Sequence, residues 1–277
     1  MEILGYFAAI LMGLSLGMIG GGGSILTVPI LVYLFAVNPV LATAYSLFIV
    51  GLTSLVGGAV ALKRGDVDLK TGFVFALPSF VGVYVTRAFV VPALPETIFQ
   101  IGEKSLTKPL LIMIVFAILM VLASLSMIRS KKKGPEASEG AGSGGGAGQA
   151  RRAWLTMSIV ALEGLVVGGV TGFVGAGGGF LIIPALVVLI GLPMKVAVGT
   201  SLFIIASKSL IGFVGDLQNQ PHIDWALLIA LSVIAVFGLF LGMTLSKKVS
   251  DQALKKGFGY FVLIMGTLIL IDQIVKL

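Results

Sequence analysis

The chain has 277 residues, of which 57% are hydrophobic and only 11% charged, with a formal charge of +7 and no cysteine. A mean hydropathy of +1.11 excludes a water-soluble globular domain of this size and makes lipid the solvent. The missing cysteines exclude disulfides, thiolate metal sites and cysteine nucleophiles, and the basic residues sit in short clusters between apolar runs, which is how topology signals rather than nucleic-acid faces are distributed.

In chain order, apolar segments fall at about 3–19, 25–37, 40–62, 71–92 and 110–128, then at 153–174, 180–191, 193–215, 225–245 and 257–275. Most are long enough for a spanning helix at about 1.5 Å per residue. The first follows Met1-Glu2 without the basic stretch and small-residue cleavage pattern of a secretory signal, so it reads as a retained membrane segment. Between the two sets of five lies 129–152, a Gly/Ser/Ala tract flanked by Lys and Arg that cannot bury enough apolar area to fold. The expected organisation is a first transmembrane repeat over 1–128, a flexible cytoplasmic linker over 129–152 and a second repeat over 153–277.

Sliding the chain on itself by 155 residues lays Gly20 to Pro29 on Gly175 to Pro184 and Ser46-Leu47-Phe48-Ile49 on Ser201-Leu202-Phe203-Ile204. Chance similarity between apolar helices does not align a glycine cluster, a proline and serines together, so the halves are duplicates, the usual build of secondary transporters. Placing the linker, Lys63-Arg64 and the basic stretch 247–256 on the cytoplasmic side requires the first segment of each half to dip into the membrane and return. Three true crossings then remain per half. The expected fold is therefore an all-α polytopic membrane protein of two homologous halves, as inverted repeats, each with a Gly-broken first membrane segment.

The breaks carry the chemistry. Unpaired backbone inside a membrane is tolerated only where protein or a water-filled cavity surrounds it, so Gly20 to Ser24 and Gly175 to Gly179 belong at the interface of the halves. Helix N-termini beginning near Ser24 and Gly179 present free N–H groups and partial positive charge, and the missing side chains let an anion approach the backbone. Close helix packing is the plainer use of such glycines. A phosphate-cradling loop is excluded, because no Lys-Ser/Thr follows the glycines.

Gly20-Gly-Gly-Gly-Ser with Pro29, its repeat Gly175-Ala-Gly-Gly-Gly-Phe with Pro184, and the Ala-Tyr-Ser-Leu-Phe and Gly-Thr-Ser-Leu-Phe segments that follow resemble the sulfite exporter TauE/SafE family of membrane permeases. The resemblance covers nearly the whole chain apart from the linker. It implies transport of sulfur-containing anions such as sulfite and organosulfonates, across a bacterial cytoplasmic membrane. The first half departs from the second in having Tyr45 where the second has Thr200.

The candidate anion site comprises Gly21, Gly22, Gly23, Ser24, Tyr45 and Ser46 from the first half, with Gly177, Gly178, Gly179, Thr200, Ser201 and Lys208 from the second. The hydroxyls can donate to an oxyanion, although Ser and Thr within helices often bond a carbonyl one turn back. Lys208 lies seven residues after Ser201, on the same helical face, and its repeat partner is Thr53. A buried ammonium costs at least about 2.5 kcal/mol at mid-helix and is kept mainly for a partner or a ligand. Glu163 also breaks the repeat symmetry, standing against Ala8. It is a candidate proton carrier, and a structural ion pair with Lys208 is the competing reading. Arg87, near the outer end of its helix, is expected to snorkel to the headgroups.

His222 is expected in an outer loop with no second ligand at metal-binding spacing, and Trp225 at the interface. No cofactor, metal or catalytic set is expected. The partners are the small anion and the bilayer, with a homodimer left open and no nucleic acid. A passive anion channel and a membrane scaffold or assembly factor without ligand are the alternatives.

Overall fold

Two aspartates start repeat-related helices in the same way. Asp68 accepts from the N–H of Thr71 and Asp224 from the N–H of Leu227, each satisfying an orphan donor of the first turn. The computed structural model describes residues 2–101, 104–129, 146–188, 190–217, 223–246 and 251–276. Most of the expected linker, and His222, lie outside these residues.

The first half contains α1 (Glu2–Ile19), α2 (Ser24–Pro29) continued by a π-helical turn (Ile30–Leu34), α3 (Pro39–Lys63) and α4 (Leu69–Val85). A second π-helical turn (Thr86–Val90) and the short α5 (Val91–Ala93) extend α4. An antiparallel hairpin, β1 (Thr97–Ile101) with β2 (Lys104–Thr107), then leads into α6 (Lys108–Arg129). The second half contains α7 (Gly146–Val174), α8 (Gly179–Val188), α9 (Met194–Leu217), α10 (Trp225–Leu245) and α11 (Asp251–Lys276). Among the described residues, six helices are long and apolar enough to cross a membrane. Large apolar side chains such as Ile3, Phe7 and Leu11 on α1, and Ile229, Val233 and Phe237 on α10, face outward, as they do where the surroundings are lipid.

Close backbone contacts fix the helix directions. α3 and α9 run antiparallel, with Leu47 against Gly212, Gly51 against Leu210, Gly57 against Leu202 and Ala61 against Gly199. The contact is centred near Thr53 and Lys208. α4 runs parallel to α7, where Phe75, Ser79 and Val83 meet Gly164, Gly168 and Gly172. α1 runs parallel to α10, where Gly13 and Gly17 meet Ala235 and Leu239. The two pairings are repeat-related, so the first helix of each half packs on the opposite half.

Tyr45 meets Asp224, and Gly57 meets Leu239, so α3 is parallel to α10. Gly72 meets Phe203 and Gly212 meets Val83, so α4 is parallel to α9. Hence α1, α3 and α10 run one way and α4, α7 and α9 the other. Because α1 and α3 are parallel, the chain between them must turn back, which it does through the glycines and α2. In the second half it turns back through α8. The C-terminus of α3 with Lys63-Arg64, the N-terminal part of α7 with Arg151-Arg152, and the C-terminus of α10 before the basic stretch 247–256 all lie on one face.

Candidate functional site

The glycine loops meet at the centre of the molecule. Gly21 and Gly179 touch backbone to backbone, leaving no room for a Cβ on either. Gly177 lies against the repeat-related Val50 and Ile205, and an added Cβ there would also stand 3.2 Å from Ser24 Cβ. Gly177 and Gly178 have φ of +61° and +72°, a left-handed backbone that glycine adopts without a Cβ penalty. The break lets α8 begin at Gly179 with its N-terminus at the loop crossing. α2 begins at Ser24, whose hydroxyl donates to the Gly21 carbonyl at 2.7 Å.

Lys208 reaches this place. Its side chain is buried, its Nζ donates to Thr171 Oγ1 at 2.7 Å, and a Cβ on Gly178 would lie 2.7 Å from that Nζ. Among the described residues no carboxylate lies within ion-pairing distance of it, so the Glu163–Lys208 pair is not formed. Glu163 is partly buried midway along α7. Thr171, the partner of the ammonium, has no signal in the sequence beyond being a threonine in an apolar helix.

The hydroxyls divide. Ser46 is buried without a hydrogen-bond partner among the described residues, as are the repeat-related Ser54 and Ser209. Ser201 donates to the Val198 carbonyl at 2.8 Å, the bond to its own helix that such residues often make, and lies 3.3 Å from the Gly20 carbonyl. Tyr45 and Thr200 each serve the opposite half. The Asp224 N–H donates to Tyr45 Oη at 2.6 Å, and the Asp68 N–H donates to Thr200 Oγ1 at 2.9 Å. Gly22 accepts from the Ile25 N–H, and Gly23 packs against the α1 backbone at Met12 and Leu16.

Arg87 departs from expectation. Rather than snorkelling, it is 1% exposed and pairs with Asp216 at 3.5 Å while donating to Thr43 Oγ1 at 2.9 Å. The π-helical turn and the packing of α4 on α9 direct it inward, where Gly215 lies against its Cβ. Asp216 has no separate sequence signal, because Asp216-Leu-Gln-Asn-Gln reads as the start of a polar loop. Trp225 packs edge-on against Phe48 and Phe213 at the start of α10.

Two cavities open on opposite faces. One, of about 290 Å³, opens on the basic face between the end of α3 and the start of α9, and its walls include Ile19, Ala61, Val198, Leu202 and Met243. The other, of about 470 Å³, lies on the opposite face among Asn38, Val40, Glu96, Lys108 and Asp216.

This is a polytopic membrane protein whose two broken segments meet beside a buried cation supplied by α9. The sequence model of the sulfite exporter TauE/SafE family matches residues 5–269, and the chain belongs to that family. It is similar to a protein of Bacillus subtilis (strain 168) described as probable membrane transporter protein YunE, with 29% identity over 270 residues, 91% of this chain and 92% of that protein. It is also similar to a probable membrane transporter protein of Xylella fastidiosa (strain 9a5c), with 28% identity over 258 residues, 91% of this chain and 88% of the other. No solved structure matches. The chain is thus an integral, multi-pass membrane transporter.

Proposed function

We propose that the protein is a secondary transporter of small sulfur-containing anions, such as sulfite or an organosulfonate, in the bacterial cytoplasmic membrane. The observation that carries this is the buried Lys208 ammonium, held by Thr171 against Gly178 beside the N-terminus of α8, with no carboxylate among the described residues to neutralise it. A cation in that position lowers the cost of bringing an anion to the middle of the membrane. The helix N-terminus adds partial positive charge of the same sign. Ser46, buried on α3 with no hydrogen-bond partner among the described residues, is a further donor.

The antiparallel run of the repeat-related α3 and α9 supports reading the halves as inverted repeats. The basic face is then cytoplasmic, and the cavities on the two faces are the two ends of an alternating-access route. Glu163 is the candidate for proton coupling, and the bilayer is the remaining partner.

The test is flux of sulfite, sulfoacetate, taurine and sulfate into liposomes containing the purified protein, with Lys208→Ala beside it. Saturable flux of at least one anion is expected, with the variant reduced at least about 10-fold, the cost of losing one charge-assisted hydrogen bond being about 1.5–3 kcal/mol. Absence of flux for every small anion sinks the transport reading. Normal flux in Lys208→Ala removes that residue from the site, and flux that never saturates identifies a channel.

A further inference from the structure

We propose that Arg87 is a second anion-binding residue, at the outer end of the route, and that Asp216 is a built-in carboxylate that occupies it and closes the route until a small oxyanion takes its place. This rests on the transport reading above.

The first support is a comparison of the two cavities. The inner one follows α9 as deep as Val198 and Leu202. On the outer side Thr43, the repeat mate of the half-buried Val198, is 0% exposed, and the outer cavity reaches Asp216 without touching Thr43 or Leu47. The 155-residue register places Ala61 where the other half has Asp216. The register set by the Asp68 and Asp224 caps places Met243 where the first half has Arg87. Ala61 and Met243 both line the open inner cavity. Where the inner side has an alanine and a methionine, the outer side therefore has an ion pair, and there the route is shut.

The second support is how loosely the pair is made. A single contact of 3.5 Å joins Arg87 Nη1 to Asp216 Oδ1, and the same nitrogen donates to Thr43. Arg87 Nε and Nη2 and Asp216 Oδ2 are buried without hydrogen-bond partners among the described residues. The Nε/Nη2 edge is the fork that binds a planar or tetrahedral oxyanion through two parallel bonds.

The third support is position. Arg87 stands in a π-helical turn, an irregularity frequent at functional sites. Its partner Thr43 lies directly against Gly175, so the guanidinium is one side chain away from the glycine loop.

An entering anion can replace Asp216 without leaving the guanidinium uncompensated, which is the costly outcome for a buried charge. The released carboxylate stays in the cavity it already lines, where the Lys108 ammonium, 3.8 Å from Glu96, supplies a cation. Asp216 thereby acts as a tethered competitor of the transported anion. The chemistry selects oxyanions carrying at least one negative charge.

The native chain has no cysteine, so a single Ala44→Cys, one residue beyond Thr43 and buried, reports on the closed region. Labelling by a membrane-impermeant maleimide from the outer side is expected to be slow. Adding Arg87→Met with Asp216→Ala copies the Met243/Ala61 pair that the other half already packs, and should raise the rate at least about 10-fold by shifting the population towards an open outer side. Sulfate or sulfoacetate should accelerate labelling when the pair is intact and not when it is replaced. In parallel, Asp216→Ala alone should gain a sulfate-dependent rise in Tm larger than that of the parent, because its guanidinium has lost the competitor.

An unchanged labelling rate in the Arg87→Met, Asp216→Ala double variant overturns the closure. A Tm of Asp216→Ala that does not respond to sulfate overturns the anion site. Neither readout requires flux, so both decide the proposal even where liposome flux has failed.

Discussion

At the residue scale, the buried cations show how far composition can be trusted. Lys208 was legible because an ammonium in the middle of an apolar segment, one heptad after Ser201, cannot be a topology signal. Arg87 was misjudged because a residue near a helix end is ordinarily free to reach the headgroups; its direction is set by the packing of α4 on α9, which depends on residues about 130 positions away. Tyr45 and Thr200 belong to the candidate site by sequence, yet their oxygens serve the backbone at the start of α10 and α4. The longer tyrosine in the first half and the threonine in the second thus fill equivalent structural positions with different side chains. A small strain sits at Ala36, whose φ of +53° matches the +76° of its repeat partner Gly191. Ala36→Gly should stabilise the protein by about 1 kcal/mol, the usual left-handed penalty for an L-residue less the added chain entropy of glycine, read as a rise in Tm in detergent.

At the element scale, the short arms α2 and α8 exist because four near-consecutive glycines cannot continue a helix at little cost, and because the neighbouring half covers the exposed backbone. The sequence indicated where they begin: Ser24 and Gly179 are the first residues of the two helices. It placed the two loops facing each other with the anion between them, whereas Gly21 and Gly179 are in direct backbone contact. The same close approach recurs where α1 meets α10 and α4 meets α7, with glycines four residues apart allowing backbone contact, as in small-residue packing motifs of membrane helices. Gly21→Ala should therefore cost several kcal/mol, in the range of overpacking against immobile backbone, and reduce folded protein recovered from the membrane. Gly257→Ala, where nothing lies within 4 Å of an added Cβ, should leave the yield unchanged. A folded and active Gly21→Ala protein would show that the loops have room the geometry denies.

At the scale of the whole molecule, equivalent residues before α3 and α9 lie at opposite ends of the antiparallel pair. Asn38 and Pro193 are exposed repeat mates in these positions. Single-cysteine labelling in intact cells should reach Asn38→Cys from outside, and Pro193→Cys only after the membrane is permeabilised. Labelling of both from one side would rule out inverted repeats.

Duplication, helical class, the broken first segments and the membrane setting were determined by the sequence alone. Each depends on local composition or on self-similarity, and local composition is what a lipid solvent selects. The swapped pairing of α1 with α10 and α4 with α7, the contact of the two glycine loops, the Thr171 partner of Lys208 and the Arg87–Asp216 ion pair were decided only by the tertiary structure. These contacts join residues far apart in the chain, and in a membrane every apolar helix face looks alike until shape and the few buried polar groups choose its neighbour.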